Sequence, residues 1–293
     1  MNSWDEIRTA YQVAKHGTVS GAATALGVHH ATVIRHIDAL EGQLGVKLFQ
    51  RHARGYTPTE AGQDLLQVAG TTDDQFTQMV GRLKGKGDAM VGDLIVTTIN
   101  ELTPLISPVL VAFRAKHPGL TVRLLTGERL FRLEYGEAHV AIRAGSVPQE
   151  PDNVVQSFGR IYGAYYASKT YVRHHGIPRD ETDIAKHVFV GHDSDAARAP
   201  FDVWMRTNIP REQVIFRAAE QNTIKVAVKG GAGIGYLPLY EGQADPDLRE
   251  VWPAREEWSA PLWLVTHVDL HRTAKVQRFT EQLKKAARDW PTS

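Results

Sequence analysis

The stretch from Thr18 to Thr59 constrains the fold of this chain more than any other. Its first part, residues 20–27, is rich in alanine at helical spacing and ends in Gly27, a typical helix stop. Small side chains on such a helix allow a second helix to cross it closely. The stretch therefore predicts two short helices joined by a tight turn, which is a helix-turn-helix.

The second of these helices has two different faces. An apolar stripe at steps of three or four residues predicts the buried face, which carries Val33, Ile37, Leu40 and Leu44. The opposite face is predicted to be exposed and carries His30, Ala31, Ile34, Arg35 and Asp38. If the motif reads DNA, this exposed face lies in the major groove, where the first residues of the second helix meet base edges.

The segment after the motif predicts a wing followed by a long helix. Residues 46–51 and 55–57 are short strand-like runs, typical of the wing of a winged helix. The residues from Thr57 to Glu60 predict a helix start with Thr57 as its N-cap. Apolar or small residues then recur at alternating steps of four and three: Leu65, Ala69, Thr72, Phe76, Met79 and Leu83. This period predicts pairing with a second helix, with packing on its own domain as the alternative, and residues 84–88 predict a hinge.

From Gly92 onward the pattern changes to alternating strands and helices. The predicted strands are 93–99, 120–125, 138–142, 161–167, 188–190, 214–218 and 262–266. The predicted helices are 103–116, 168–174, 222–229 and 273–290, with a short one near 130–136. The βαβαβ order at the start of this region predicts a mainly parallel sheet with both faces covered.

Composition excludes several classes of function. The chain of 293 residues has no cysteine, which excludes a disulfide framework, a thiolate zinc site and a cysteine nucleophile. No apolar run approaches the ~20 residues that span a bilayer, and no signal peptide is evident, so we expect a cytoplasmic protein with no membrane partner. The net charge is only +1, so any affinity for DNA must come from a local patch.

The motifs of the N-terminal part resemble those of a known family. Residues 22–28, 33–51 and 56–62 match, without a gap, the N-terminal signature of the bacterial LysR-type transcriptional regulators. The later chain resembles the effector-binding half of that family more weakly, through residues 92–94, 136–143 and 231–238.

The resemblance implies a fold in three parts. These are an all-α winged helix-turn-helix in 1–60, a dimerising linker helix and hinge in 61–88, and an α/β effector-binding domain in 89–293. The last domain would be periplasmic-binding-protein-like, with two Rossmann-like subdomains around a cleft. Subdomain I would take about 89–160 and 266–293, and subdomain II about 161–265, with the chain crossing near 158–162 and 263–267.

The resemblance also implies a function. The chain would be a sequence-specific transcriptional regulator controlled by a small-molecule effector, without a cofactor and without catalysis. Its partners would be double-stranded operator DNA, the effector, further copies of the chain in a dimer or tetramer, and RNA polymerase.

For DNA, Arg35 and His30 are the predicted base readers, because an arginine can bond guanine through two hydrogen bonds. The other positions predicted at the DNA interface are His29, Ala31, Thr32, Ile34, Arg51, Arg54 and Thr57. The family usually has Ser-Gln in place of His29-His30 and a serine in place of Ile34. This chain therefore lacks a good N-cap and a hydroxyl contact. Ile34 either touches a thymine methyl group or is an ordinary packing residue.

For the effector, polar residues at strand ends and helix starts converge in the cleft only under the family fold. Those of subdomain I are Thr98, Asn100, Thr103, Thr126 and Arg143. Those of subdomain II are His192 and Asn222, the latter as a predicted helix N-cap. Free N–H groups at a helix start favour a carboxylate, and open α/β sheets bind ligands at the carboxyl ends of their strands. For each residue alone, a cap or a surface ion pair is the alternative.

Enzymatic interpretations find little support in the sequence. Residues 231–235 lack the third spaced glycine of a dinucleotide fingerprint, and 191–195 have the serine in the wrong place for a nucleophile elbow. His267 and His271 have metal-like spacing without a plausible third ligand, so no metal site is predicted. Two other classes stay open: an architectural DNA-binding protein with an unliganded domain, and an enzyme with an accessory DNA-binding domain.

Overall fold

The computed structural model divides the chain into an N-terminal domain, a long helix and an α/β domain. It describes residues 3–53, 55–83, 90–127, 129–179 and 183–290, with the backbone alone at 74, 77, 78 and 81–83. Arg54, the side chain of Leu83 and the predicted hinge at 84–88 lie outside this description. None of the described helices is both long and apolar enough to cross a membrane.

Three helices and a two-stranded wing form the N-terminal domain, as predicted. They are α1 (Trp4–His16), α2 (Val19–Leu26), α3 (His30–Leu44), β1 (Phe49–His52) and β2 (Gly55–Pro58). Gly27 ends α2 with a left-handed φ of 68°, which confirms the predicted helix stop. Val33, Ile37 and Leu40 lie in the domain core. Leu44 was predicted beside them but is 50% exposed, because α3 ends there and the chain turns away at Gly45.

The linker helix α4 (Glu60–Leu83) begins later than predicted. Its N-cap is Thr59, whose Oγ1 accepts a hydrogen bond from the Gly62 N–H at 3.2 Å. The predicted N-cap role of Thr57 is wrong, because Thr57 and Pro58 pair with β1 in the antiparallel wing. Thr59 also donates its hydroxyl to the Lys47 carbonyl at 2.7 Å, which ties the start of α4 to the chain before the wing.

Subdomain I begins with three parallel strands. Its first elements are β3 (Gly92–Thr98), α5 (Thr103–Lys116), β4 (Leu120–Thr126), β5 (Val140–Ala144) and β6 (Asn153–Ile161). β3 lies between β4 and β5 and runs parallel to both, as predicted from the βαβαβ order. α5 covers one face of this sheet with Ile106, Leu110 and Phe113.

Subdomain II follows, and its described residues form a three-stranded sheet, a two-stranded sheet and four α-helices. It contains β7 (Gly163–Ser168), α6 (Lys169–His175), β8 (Phe189–His192), α7 (Pro200–Asn208), β9 (Val214–Ala218), α8 (Gln221–Lys229), β10 (Gly235–Pro238), α9 (Leu239–Gly242) and β11 (Leu248–Trp252). β7 pairs antiparallel with β10 and β11, and β8 runs parallel to β9. The predicted strand 161–167 is divided between β6 and β7. The sequence analysis did not predict α7, β10 or β11.

The chain then returns to subdomain I with β12 (Ala260–His267), α10 (Val268–His271) and α11 (Ala274–Ala287). β12 lies between β5 and β6 in the five-stranded order β4-β3-β5-β12-β6. Its antiparallel pairing with β6 starts at Ala260, opposite Ile161, so the predicted boundary at 265/266 is too late. Arg160 donates to the Ser259 hydroxyl at 2.7 Å, which fastens the two crossover segments to each other.

Candidate functional site

The exposed face of α3 is the candidate DNA surface. His30, Ala31, Ile34, Arg35 and Asp38 are all exposed, as their spacing predicts, while the opposite face fills the domain core. The guanidinium of Arg35 makes no hydrogen bond or salt bridge to any residue that the structure describes. Its five N–H donors are therefore available to a partner outside the protein.

The start of α3 lacks a side-chain cap, as expected from the histidine at this position. His29 is the N-cap residue in extended conformation, and its side chain bonds none of the first N–H groups. Beside it the turn from α2 opens as a groove lined by Gly27, Val28, His29 and His30. Uncapped N–H groups at a helix start are donors for an anion such as a phosphate. Thr32 is half-buried in the first turn of the same helix.

Arg51 on the wing is already engaged within the protein. Its Nη2 lies 2.6 Å from Asp38 Oδ1 and 2.9 Å from Glu41 Oε2, and the guanidinium stands 5.3 Å from the ring centre of Tyr56. Its predicted contact with DNA therefore competes with two carboxylates. Thr57 is exposed on β2, and its hydroxyl bonds His52 Nε2 at 2.7 Å.

Glu41 is the residue of this region that the sequence analysis missed. Its buried carboxylate accepts hydrogen bonds from the N–H groups of Leu48 and Phe49 at 3.0 and 3.3 Å, and from Lys47 Nζ at 2.7 Å. Burial alone would raise the pKa of Glu41, but these donors and the charge of Arg51 together lower it. Glu41 thus fixes the wing to α3. A glutamate next to the apolar Leu40 was the only signal in the sequence.

The cleft predicted for the effector would lie where the first turn after β3 meets the start of α8. Asn100 Nδ2 donates to Glu220 Oε2 at 3.4 Å, which links subdomain I to subdomain II. Glu220 is the N-cap residue of α8, so Asn222 lies inside the helix and its predicted N-cap role is wrong. The extended backbone of Glu220 ends the strand-to-helix turn two residues before the position that the sequence suggested.

Four of the predicted effector residues do come together at the carboxyl edge of the first sheet. Thr98 and Thr126 are register partners at the ends of β3 and β4, Asn100 follows β3, and Thr103 begins α5. Thr98 is buried, and its Oγ1 has no hydrogen-bond partner among the described residues. A buried hydroxyl without a partner is costly unless something else bonds it.

Arg143 does not join this group. Ile142 points into the core beneath α5, so strand alternation places Arg143 on the opposite face of the sheet. Its side chain is 11% exposed, and its guanidinium donates to Glu150 Oε1 at 2.8 Å and to the Phe131 carbonyl at 3.2 Å. Burial would raise the pKa of Glu150, but hydrogen bonds, that of Arg143 among them, lower it. The charge of Arg143 is thus neutralised within the protein.

His192 pairs with Ala218 of β9, two residues before the Glu220 that contacts Asn100. It ends β8, its Nδ1 accepts the Ser194 N–H at 2.9 Å, and it lines a cavity formed by residues of subdomain II alone. Tyr240 of α9 is a second residue of subdomain II close to subdomain I. Its hydroxyl is buried without a hydrogen-bond partner in the described structure, and burial and the nearby Glu241 and Glu101 raise its pKa. Glu101 belongs to subdomain I, so Tyr240 lies near the boundary between the two subdomains.

Comparisons with known proteins agree with this architecture. Residues 4–63 match the family model described as a bacterial regulatory helix-turn-helix protein of the lysR family, and residues 91–288 match the LysR substrate binding domain. The chain is 28% identical over 251 residues to the transcriptional activator IlvY of Salmonella typhimurium, covering 82% of this chain and 84% of that protein. It is 24% identical over 291 residues to the regulator CbbR of Sinorhizobium medicae, covering 94% and 90%.

Solved structures share the fold over nearly the whole chain. ArgP from Mycobacterium tuberculosis superposes with a TM-score of 0.71 at 18% identity, covering 99% of this chain and 98% of that one. Full-length LysG from Corynebacterium glutamicum, solved with the effector Arg bound, gives 0.68 at 17% identity, covering 99% of both chains.

Proposed function

Because the chain belongs to the LysR family of bacterial transcriptional regulators, we propose that it reads an operator through α3 and is controlled by a small polar effector in the cleft. It acts in the cytoplasm as a regulator and not as an enzyme, and it needs no cofactor besides the effector. The observation that carries the DNA half of this proposal is the free guanidinium of Arg35 on the exposed face of α3.

In this proposal the DNA-facing residues divide into readers and positioners. Arg35 and His30 contact base edges in the major groove, where an arginine pairs with guanine O6 and N7. Ile34 contacts a thymine methyl group. The remaining predicted positions, His29, Ala31, Thr32, Arg51, Arg54 and Thr57, hold the phosphate backbone. Arg51 contributes less than a free arginine, because Asp38 and Glu41 already bind its guanidinium.

We propose that the effector binds between Thr98, Asn100, Thr103 and Thr126 on one side and Tyr240 on the other. The unpartnered hydroxyls of Thr98 and Tyr240 support this placement, because a ligand with hydrogen-bonding oxygens would satisfy both. Asn222, exposed on the first turn of α8, lies beside the cleft. Arg143 acts outside it, since its guanidinium bonds Glu150 and the Phe131 carbonyl. His192 lies at the edge of the cleft, near the start of α8.

The linker helix gives the effector domain a route to the DNA. α4 packs against the turn at Leu133–Tyr135, and Gln67 Nε2 lies 3.5 Å from His267 Nε2 at the end of β12. Both contacts are with subdomain I. A ligand that favours one angle between the subdomains would therefore shift α4 and the attached DNA-binding domain, provided that the two states bind it with different affinity.

We propose that the chain self-associates through α4. Val68 and Phe76 are 60% and 48% exposed on this helix, and Met79 is exposed on the same side as Phe76. The ring of Trp4 meets that of Phe76 edge to face at 6.0 Å and extends the apolar surface to α1. A tetramer needs a second surface, and exposed Val111 on α5 and Val226 on α8 are its candidates. We propose RNA polymerase as a further partner of the DNA-bound protein.

Footprinting tests the DNA proposal. The DNA upstream of the chain's own gene is probed with the purified protein in the presence of excess scrambled competitor. We expect a protected site with two half-sites at a spacing of whole helical turns, because a symmetric dimer presents two copies of α3. If the scrambled competitor abolishes the protection, the protein does not read sequence, and the alternative of an architectural DNA-binding protein is favoured.

A thermal-shift screen tests the effector proposal. Small carboxylates, aromatic acids and amino acids are added to the full-length protein and to Thr98→Val. A ligand at ~100 times its dissociation constant stabilises the folded state by roughly 2.7 kcal/mol, which gives a clear shift. We expect one compound to stabilise the wild type but not Thr98→Val. An equal shift in both proteins would place the effector elsewhere.

A further inference from the structure

A second cavity lies wholly within subdomain II, apart from the effector cleft. It has a volume of about 230 Å³ and is enclosed by α7, the end of β8 and β9. No residue of subdomain I lines it. None of the proposed effector residues Thr98, Asn100, Thr103, Thr126 and Tyr240 lines it, although its His192 pairs with Ala218, two residues before the cleft residue Glu220.

The wall of the cavity is built by one face of α7. Asp202, Met205 and Arg206 follow each other at helical spacing on this face, Ile209 comes directly after the helix, and Val214 of β9 lines the other side. β8 can approach α7 so closely because residue 191 is glycine. A Cβ at Gly191 would lie 2.6 Å from Met205 Sδ, so the Met205 side chain would have to shift.

Asp202 places an unpaired carboxylate in this cavity. Asp202 is only 8% exposed. No side chain or N–H group of the described structure makes a hydrogen bond or salt bridge to its carboxylate. Burial raises the pKa of Asp202 to about 6, although the charges of His192 and Arg206 act against this rise. A buried carboxylate without a partner destabilises the folded protein, and a bound cation or hydrogen-bond donor would remove this cost.

Arg206 is the matching unpaired cation at the rim. The other charges of the cavity are already bound: Arg211 Nη1 lies 2.5 Å from Asp195 Oδ2, and Arg217 donates to the carbonyls of Val214 and Arg211. Arg206 is exposed, and it has no such partner among the residues described. One unpaired negative and one unpaired positive group thus stand a helical turn apart, with apolar side chains between them.

We propose that this cavity binds a small zwitterion, namely an α-amino acid with a short apolar side chain. Its ammonium group bonds the Asp202 carboxylate, its carboxylate bonds the Arg206 guanidinium, and its side chain packs on Met205, Ile209 and Val214. The volume is below the roughly 300 to 1,000 Å³ of most ligand pockets, which restricts the site to a molecule of about this size. The site is additional to the effector cleft and does not depend on it.

Calorimetry on the full-length protein tests this proposal with four probes. L-leucine and L-valine carry both charges, 4-methylpentanoate lacks the ammonium group, and 3-methylbutylamine lacks the carboxylate. We expect at least one of the two amino acids to bind, and both truncated compounds to bind at least tenfold more weakly. Equal binding of a truncated compound would show that only its apolar part is recognised, which contradicts the proposal.

Variants then assign the binding to the cavity. Asp202→Asn and Arg206→Gln should each weaken amino-acid binding at least tenfold, whereas Arg249→Gln, an exposed arginine on β11, should leave it unchanged. Since Arg206 is on the surface, its variant is expected to fold even if the Asp202 variant does not. Thr98→Val, which alters the cleft, should bind like the wild type.

Three results would overturn the inference. The first is that none of the probes binds to the wild type. The second is that both cavity variants bind like the wild type, which is expected if Asp202 and Arg206 pair with each other in solution. The third is that binding is lost in Thr98→Val but kept in Arg206→Gln, which would place the amino acid in the cleft and leave the proposed function intact.

Discussion

The DNA-binding domain and the effector domain differ in whether their buried polar groups have hydrogen-bond partners. On α3 the functional side chains are exposed, and the buried carboxylate beneath them, Glu41, is held by several donors. In the α/β domain Thr98, Tyr240 and Asp202 instead have buried side-chain oxygens that no described residue bonds. A DNA surface can thus be presented at little cost in stability, whereas a ligand site keeps unsatisfied groups that its ligand must bond.

The largest expected effect tests the satisfied half of this comparison. Glu41→Ala leaves the buried N–H groups of Leu48 and Phe49 without their acceptor, and each unsatisfied buried donor costs ~1 to 3 kcal/mol. It also removes the carboxylate that binds Lys47, whereas Arg51 keeps Asp38. The measurement is hydrogen exchange at the Leu48 and Phe49 amides. Asp38→Ala removes only the exposed partner of Arg51 and should cost less than ~1 kcal/mol. Equal losses in the two variants would contradict the role assigned to Glu41.

The same group gives a pH dependence of known sign. The pKa of Glu41 is lowered in the folded protein from an ordinary value of 4.5. Its stabilisation is therefore present above pH 4.5 and lost as the pH falls through the lower, folded pKa. Hydrogen exchange at Leu48 and Phe49 should quicken below pH 4.5 in the wild type beyond the intrinsic pH effect, and show no such extra change in Glu41→Ala.

The next effect tests the unsatisfied half. Since the pKa of Asp202 is raised from 3.8 to about 6, ionising this group costs the folded state up to ~3 kcal/mol. Asp202→Asn should therefore be more stable than the wild type above pH 6, and the difference should vanish as the pH falls towards 4. Thermal unfolding between pH 7.5 and 4.5 measures it. The control is Asp247→Asn, an exposed position at which no such stabilisation is expected. If Asp202→Asn is less stable than the wild type at pH 7.5, the carboxylate of Asp202 is not destabilising and the prediction is wrong.

The smallest effect compares two buried threonines directly. The Oγ1 of Thr98 has no partner in the described structure, so Thr98→Val should change the free energy of unfolding by less than ~1 kcal/mol while abolishing the effector response. Thr9 of α1 is equally buried but donates to the Asp5 carbonyl at 2.6 Å and bonds His36 Nδ1 at 2.9 Å. Thr9→Val should therefore cost ~1 to 3 kcal/mol. Chemical unfolding of both variants measures the two losses of stability. A larger loss in Thr98→Val than in Thr9→Val would contradict the contrast drawn between the two domains.

The sequence predicted the DNA-binding domain better than the ligand sites, because the signals for the former are local. The stop at Gly27 and the faces of α3 follow from local conformation and helical period, which the sequence states directly. The N-cap was misplaced at Thr57 because strand pairing in the wing overrides a local capping signal. Short-range signals are thus reliable where solvent exposure alone defines a surface.

The sites of the α/β domain depend on contacts between distant residues. Arg143 looked like an anion ligand at a strand end, but only the packed sheet shows that it faces Glu150 on the other side. The return of the chain to subdomain I was predicted too late, at residue 266, for a similar reason. The pairing of β12 with β6 is a contact between distant residues, which periodicity does not show. Asp202 lies on α7, a helix that the sequence analysis did not predict at all.

The most direct test of the central claim is the specificity that Arg35 gives to DNA binding. The dissociation constants of wild type and Arg35→Ala are measured by fluorescence anisotropy at one salt concentration, for the protected operator and for a scrambled duplex. Losing one bidentate contact to guanine costs roughly 1 to 3 kcal/mol, or about 5- to 150-fold in affinity. We expect this loss on the operator and a much smaller one on the scrambled duplex, with Arg8→Ala on α1 changing neither. Equal losses on both duplexes would show that Arg35 binds only phosphate and would contradict base reading by α3.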